Sequence, residues 1–355
     1  MSQEKSFEKG RGAQINPTNR FSKQEDGEWF DDIQDEEERF EKRKTKFIDV
    51  YPKTIVNHVK SPDVPDYSMN PYQGCEHGCI YCFARNSHEY WGYSAGKDFE
   101  QVILVKRNAS ELLEQKLSSK SWKAHPIVLS GNTDCYQPIE RKLKITRETL
   151  KVFLKYKHPV GLITKNSLIL RDLDLLKQLA DQNLVRVVIS LTSLKEETRR
   201  LLEPRTASVN QKLKTIKTLS ENGIPVTAMM GPIIPSINSH EILELAQAAS
   251  QHGAISFAHT LVRLNGAIGE IFENWMHQSY PDRANKILNQ IKECHGGKLN
   301  DSRYGTRMRG EGNIAKNISD MVQLAKLRYF ANKPTFEYDF SKYTKTPENN
   351  QLRLF

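Results

Sequence analysis

Short apolar runs alternate with amphipathic stretches through the middle of the chain, the pattern expected of βα units. Tyr67 to Asn70, Pro126 to Ser130, Val160 to Thr164, Val185 to Leu191, Pro225 to Met230 and Ile255 to Val262 read as strands. Between them Ala109 to Leu117, Thr146 to Tyr156, Leu173 to Ala180, Gln211 to Asn222 and Ser239 to His252 read as helices. In the last of these, Ile242, Leu245, Ala246 and Ala249 recur at helical spacing and form one stripe to bury. Gly223 followed by Pro225 stops a helix before the next strand. Near-continuous apolar strands are expected in a parallel sheet covered on both faces. In α/β barrels the chemistry gathers at the carboxyl ends of the strands, so the residues just beyond each run are candidates for a site.

The flanks depart from this pattern. Residues 1–60 form a charged extension with an acidic run from Glu25 to Glu41, then Lys42, Arg43, Lys44 and Lys46; a solvated, partly disordered segment is expected. Residues 61–265 hold the βα core. Residues 266–340 are less regular, with a helix over Pro281 to Cys294 and a basic, glycine-rich stretch from Arg303 to Gly312 placed to close the core's open side. Residues 341–355 read as a flexible polar tail. The 355 residues allow one large core with flanks. Met1 to Gly10 carries no apolar signal segment and no run is long enough to span a membrane, so a cytoplasmic, reducing setting without a membrane partner is expected. The net charge of +9, with basic clusters at Arg141 to Lys144 and Arg303 to Arg309, favours a polyanion such as DNA.

Three of the five cysteines, Cys75, Cys79 and Cys82, fall in one loop at CxxxCxxC spacing directly after the first strand. Cysteine thiolates hold iron-sulfur clusters, and a loop that offers three to a [4Fe-4S] cube leaves one iron open to an exchangeable ligand. A structural zinc site is the competing reading, but it closes with four ligands, and nearby only His77 and His88 are available, in no usual zinc pattern. A disulfide framework suits a small secreted chain rather than this one. Cys135 and Cys294 are too few for a second cluster, and Cys294 reads as a small buried hydrophobe.

The cysteine spacing, with Tyr81 just before the last cysteine, resembles the signature of the radical S-adenosylmethionine (radical SAM) superfamily. Asn70 to Cys82, Ser130 to Pro138 and Leu202 to Arg205, with Gly10 to Ala13, Asn16, Arg20 and Phe21, resemble a bacterial branch related to spore photoproduct lyase, over roughly Gly10 to Phe330. The resemblance implies an α/β fold, a partial (β/α)6 TIM-type barrel. It implies a [4Fe-4S] cluster on Cys75, Cys79 and Cys82, S-adenosylmethionine (SAM) chelating the fourth iron, and a flavodoxin- or ferredoxin-like low-potential electron donor. Reductive cleavage of SAM would then give a 5′-deoxyadenosyl radical that abstracts hydrogen from a substrate.

Carried over by position, Tyr81 and Gly231 would lie near the adenine, Ser130, Asn132, Thr133 and Asp134 near the SAM amino group, and Ser190 and Thr192 near the ribose. Lys165 and Arg205 would meet the SAM carboxylate. Asp134 and Glu140 also read as surface carboxylates or helix-start residues ahead of Thr146. Cys135 is the candidate catalytic hydrogen donor, although the lyase's donor falls near Gly131, several residues earlier. The lyase also has a tyrosine directly after its last cluster cysteine, where this chain has Phe83. DNA, in a lesion-repair-like reaction, is the leading substrate; RNA, protein or a small molecule is the alternative, and a non-catalytic, metal-stabilised clamp- or DNA-binding adaptor is the third reading.

The chain ends in Gln351, Leu352, Arg353, Leu354 and Phe355, which resembles the peptide that binds the bacterial sliding clamp. Leucine and aromatic anchors on a tether enter an apolar groove while the glutamine fixes register. A terminal segment docking on its own domain is the alternative.

Overall fold

The computed structural model describes residues 8, 10–21 and 45–346. Along the chain the strands are β1 (Lys46–Val50), β2 (Val56–His58), β3 (Tyr67–Met69), β4 (Tyr72–Gln73), β5 (Val102–Lys106), β6 (Ile127–Leu129), β7 (Val160–Thr164), β8 (Val185–Ser190), β9 (Val226–Ile233) and β10 (Ser256–Leu261). The longer helices are α1 (Ala109–Ser118), α2 (Ile145–Lys155), α3 (Leu173–Ala180), α4 (Val209–Glu221), α5 (Ile242–Gln251), α6 (Ile268–Ser279), α7 (Ala284–Glu293) and α8 (Gly312–Phe330).

The six runs read as strands are β3, β6, β7, β8, β9 and β10, all parallel and adjacent in chain order, with β2 added antiparallel at one edge. This is the partial barrel of βα units that the alternation predicts. One face of the parallel strands is fully buried, at Val160, Leu162, Val185, Val187, Val226 and Ala228, while Ile163, Arg186, Val188 and Met229 between them are half-buried. Helix α4 begins two residues before the expected start because Ser208 and Gln211 form a reciprocal capping box, a signal the periodicity does not carry. It stops where Gly223 takes a φ of +74°, as expected.

Three features lie outside the pattern. A second sheet, ordered β1-β5-β4, joins β4 and β5 from the long connection between β3 and β6 to β1, which precedes the main sheet in the chain, with Lys46 to Val50 paired in parallel against Val102 to Lys106. Helix α6 buries Ile268, Ile271, Phe272, Trp275 and Met276 on one side. Helix α8 buries only Ala315, Ile318, Val322 and Ala325 and packs along α5 and β10. The extension expected over residues 1–60 needs correction. Ala13 is fully buried, Gly12 and Ala13 donate backbone N–H groups to Glu100 at 3.1 and 2.8 Å, and β1 belongs to the second sheet. The acidic run over Glu25 to Glu41 lies outside the described residues.

The basic stretch joins two edges of the main sheet. Leu261 in β10 donates to the Met308 carbonyl at 2.9 Å, while Arg307 pairs with Asp63 at 2.7 Å and Tyr304 donates to the Lys60 carbonyl at 3.2 Å, in the turn that follows β2. At the opposite end of the sheet, Tyr338 donates to the Val160 carbonyl at 3.4 Å, Asp339 to that of Asn183 at 3.0 Å and Thr344 to that of Tyr156 at 3.2 Å. That segment straps the amino ends of β7 and β8, away from the cysteine loop. Among the described residues, no helix is long and apolar enough to cross a membrane.

Candidate cluster and cofactor site

The cysteine loop leaves the carboxyl end of β3 through β4 and is fixed chiefly by backbone groups. Gly74 turns it with a φ of +82°, and a Cβ there would stand 2.5 Å from the Val102 carbonyl oxygen, so only glycine fits. Cys75 donates its N–H to the Phe99 carbonyl at 2.8 Å, and Ile80 to that of Leu202 at 3.1 Å. The buried Gln137 amide donates to the Gly74 carbonyl and accepts from the Glu76 N–H, both at 3.1 Å. Arg85, also fully buried, donates twice to the Cys79 carbonyl (3.1 and 2.9 Å) and to the Gly96 carbonyl (2.9 Å), and pairs with Glu100 at 2.5 Å. Glu100 in turn holds Gly12 and Ala13, so the amino-terminal segment is strapped across the back of the loop.

Cys75 and Cys79 are buried, Cys82 is half-buried, and all three are free thiols. Burial pushes each thiol up, Cys75 also through Asp134, Cys79 and Cys82, and Cys79 also through Glu203. Three thiols so close that their charges repel are stable together as thiolates only when metal cations share the space. The donor set therefore fits an iron-sulfur cluster. Among the described residues no trio of His, Cys, Asp and Glu is grouped to hold a single ion; thiolates of a cube need no such point, since each binds a different iron. Neither histidine of the zinc reading is grouped with the cysteines to hold one ion. His77 Nδ1 stands 3.3 Å from Asp134, and the His88 ring lies against Tyr93 and Phe99.

The residues beyond β6 form a tightly bonded knot. Asn70 accepts from the N–H groups of Asn132 and Thr133 at 2.7 and 3.2 Å, and the Thr133 hydroxyl donates to the Tyr72 carbonyl at 2.7 Å. Asn132 donates its amide to Gln73 and Ser87. Asp134 accepts from the Thr164 hydroxyl, the Lys165 N–H (both 2.8 Å) and the Tyr136 N–H (2.9 Å). Burial works to raise its carboxyl, but His77 and these donors outweigh burial and hold it below its ordinary value. Thr133 and Asp134, expected as SAM contacts, thus tie strand ends to the cysteine loop with their own oxygens already used. Glu140 is no surface carboxylate either: it is fully buried, accepting from Tyr72 at 2.5 Å, from the Thr146 N–H and from Arg171. Ser130, at a φ of +76°, accepts from the Cys135 N–H at 2.8 Å.

Cys135 itself is fully buried in the main apolar core with Leu129, Leu150 and Leu162, and burial pushes its thiol well up. A hydrogen donor must face the space where the substrate radical forms, whereas Cys135 packs among these core side chains. Cys294 is fully buried, as expected.

A dry network of charge lies beside Cys79. Glu203, fully buried, accepts from Lys165 at 3.2 Å, from the Thr192 hydroxyl and Lys212 at 2.5 Å each, and from the Tyr81 hydroxyl. Lys165 also donates to Ser190 at 2.5 Å and lies 3.5 Å from the Gly231 carbonyl, with its ammonium 5.6 Å from the Tyr81 ring centroid. Burial alone would raise the Glu203 carboxyl, but Lys165 and Lys212 hold it well below the usual carboxylate range. Burial would lower Lys165, and Glu203 more than reverses that. Lys212 is lowered by burial despite the same partner. Arg205 stands apart, 3.4 Å from Glu76, its N–H on the His77 carbonyl.

The radical SAM superfamily model matches residues 69–249, which run from the end of β3 through α5 and enclose all three loop cysteines. This chain belongs to the radical SAM superfamily. Radical SAM proteins use a [4Fe-4S] cluster and SAM, the pair that the thiol set accommodates. An uncharacterized protein of Mycobacterium tuberculosis is 30% identical over 221 residues, 61% of this chain and 64% of that protein. The chain thus spans just under two thirds of that relative's length. An uncharacterized protein of Methanocaldococcus jannaschii is 29% identical over 248 residues, 70% of this chain and 88% of its own. Among solved structures, spore photoproduct lyase complexed with dinucleoside spore photoproduct superposes with a TM-score of 0.61 at 15% identity over 80% of both chains. A variant of that lyase with bound AdoMet and the same ligand gives 0.58 at 15% identity, over 80% and 79%. At these identities the likeness concerns the fold.

Within this radical SAM fold the strand ends bring Tyr81, Lys165, Ser190, Thr192 and Gly231 together and leave Arg205 and Cys135 outside the group. Sequence reasoning missed Arg85, Glu100, Glu203 and Lys212. Glu203 lies inside the Leu202 to Arg205 motif, where the guanidinium draws attention instead. Lys212 offers the one usable signal: it sits on the α4 face shared with Thr215, Ile216 and Leu219, all buried.

Proposed function

We propose that this chain is a radical SAM enzyme whose substrate is DNA, damaged DNA in particular. Cys75, Cys79 and Cys82 hold the cluster, and Lys165 offers its ammonium to the SAM carboxylate, with Arg205 as a more distant second cation. Ser190 and Thr192 face the ribose, Tyr81 and the Gly231 carbonyl border the adenine, and Ser130 with Asn132 border the amino group. When bound and reduced by a low-potential donor, the cluster and SAM supply a 5′-deoxyadenosyl radical that takes a hydrogen atom from the substrate. The chain's part is to orient both partners and keep water from the space between them. Phe83 lacks the hydroxyl a radical relay needs, so the reaction is not a copy of the lyase's.

The observation that carries the DNA reading is the pair Arg263 and Phe83. Phe83 follows Cys82 directly and is 48% exposed, and the Arg263 guanidinium, just beyond β10, stands 5.8 Å from its ring. Arg263 makes no hydrogen bond or ion pair among the described residues; burial and the neighbouring Arg307 lower it, and Asp63 works the other way. An open aromatic face beside such a guanidinium suits a base and its phosphate. The basic cluster contributes less than its charge suggests, because Arg303 is paired with Asp301 and Glu311 and Arg307 with Asp63. The structural neighbour's dinucleoside photoproduct gives the same direction.

Arg263→Gln is expected to weaken binding of single-stranded DNA by about three- to tenfold and to lower the slope of log affinity against log salt by about one, measured by fluorescence anisotropy across a salt series. The substrate test compares ultraviolet-irradiated DNA, undamaged DNA and RNA in anaerobic turnover. SAM consumption stimulated by irradiated DNA, with a changed nucleotide in the digest, supports the reading. Equal rates with all three, or stimulation by RNA, move the substrate to the alternative classes.

The tail expected to bind the sliding clamp, Gln351, Leu352, Leu354 and Phe355, lies outside the described residues. Its sequence supports the clamp as a second partner. Removing Gln351 to Phe355 is expected to abolish clamp binding in a pull-down with purified bacterial clamp while leaving SAM cleavage unchanged. Undiminished clamp binding would refute the assignment.

A further inference from the structure

We infer that Glu203 and Lys212 are positioning residues for the cofactor: Glu203 fixes Tyr81 and Lys165 at the site, and Lys212 offsets the Glu203 charge so that the group keeps a net positive charge for the SAM carboxylate. The inference rests on the reading of Lys165 as that carboxylate's partner.

The geometry makes Glu203 a junction of four separate elements. Its Oε1 takes the Tyr81 hydroxyl from the cysteine loop, Thr192 from beyond β8 (2.5 Å) and Lys165 from beyond β7 (3.2 Å), while its Oε2 takes Lys212 from α4 (2.5 Å). Thr206 adds a hydroxyl to Oε2 at 3.3 Å. The Leu202 carbonyl, one residue earlier, accepts the Ile80 N–H, so the junction is bonded to the cysteine loop through backbone as well. Each contact arrives from an element that must be in place before SAM can be held.

Charge gives the second half of the argument. Lys165 with Glu203 alone would be a neutral pair, with no net attraction left for an incoming carboxylate. Lys212, whose side chain is 1% exposed, makes the group two cations and one anion, a net charge of one positive whose open side is Lys165, 17% exposed. Such a charge is less screened than at the surface, and it sits against the cysteine loop, which it meets at the Tyr81 hydroxyl and, through the Leu202 carbonyl, at the Ile80 N–H beside Cys79. The same arrangement must therefore act on the potential of a cluster bound at Cys79.

The test uses the reconstituted full chain and three variants, Lys212→Met, Glu203→Gln and the double variant. For each, iron and sulfide content, the cluster's midpoint potential without SAM, and SAM affinity from the SAM-induced change in the reduced cluster's EPR spectrum are measured. Lys212→Met should move the potential negative and weaken SAM binding by about tenfold or more, the loss of roughly one charge-assisted contact. Glu203→Gln should move the potential positive. The double variant, with the net charge of the original, should return the potential to near that of the unaltered protein. Shifts of both single variants in one direction, no shift at full iron content, or failure of the double variant to hold a cluster would overturn the inference, because packing alone predicts no reversal of sign. An unaltered protein whose cluster ignores SAM would instead remove the cofactor reading on which the inference rests.

Discussion

Cys79→Ala should give a chain that folds yet forms no detectable 5′-deoxyadenosine. Cys79 is 6% exposed, in a loop held by contacts that its thiol does not make: Arg85 on its carbonyl, Gln137 on Gly74 and Glu76, and Leu202 on Ile80. Losing the sulfur should therefore cost about 1–2 kcal/mol of stability, a small cavity term, while removing one of the three protein ligands to the cluster. Product should fall below detection and the iron bound per chain should drop after reconstitution. Cys135→Ser serves as the thiol-loss control outside the cluster loop, and 5′-deoxyadenosine formation should survive it. Cleavage that persists in Cys79→Ala would overturn its assignment as a cluster ligand.

The second large effect is expected at Arg85. Arg85 and Glu100 are both fully buried and 2.5 Å apart, so Arg85→Met leaves a carboxylate in the interior without its ion-pair partner, still accepting from the N–H groups of Gly12 and Ala13. Breaking a buried pair by removing one partner costs on the order of 3–5 kcal/mol, far more than the pair's own net contribution. The Cys79 carbonyl also loses both of its Arg85 donors and keeps only the longer bond from the Cys82 N–H at 3.3 Å, so cluster retention should fall with stability. Chemical denaturation of the anaerobic protein checks the first and iron content the second. Lys151→Ala, which removes an exposed partner of Glu148, should change stability by no more than about 0.5 kcal/mol. Equal effects at the two positions would mean that the buried pair does not hold the loop.

What the sequence displayed depended on the kind of force involved. β7 and β8 are legible because their burial is written as continuous apolar runs, and the cysteine loop because its spacing has few physical uses. The segment from Gly10 to Phe21 is not legible. It is held by polar contacts to residues about seventy or more positions away, among them Glu100, Asp98 and Glu89, which leave no periodicity in the segment. Glu203 and Lys212 share that difficulty: alone each resembles a surface charge, and only the fold pairs them in a dry interior. Asp134 and Cys135 fail in the opposite direction. Their position after a barrel strand marks them as site residues, yet the knot around Asn70 and the core around Leu129 claim both for structure. Helix α8 escapes notice because its buried stripe is narrow and partly alanine.

The most direct test of the account is anaerobic turnover of the reconstituted full chain with SAM and a strong reductant, followed by quantitation of 5′-deoxyadenosine and methionine. The account predicts both products, in equal amounts and dependent on reductant. An intact cluster, verified by iron, sulfide and EPR, that yields neither would contradict it.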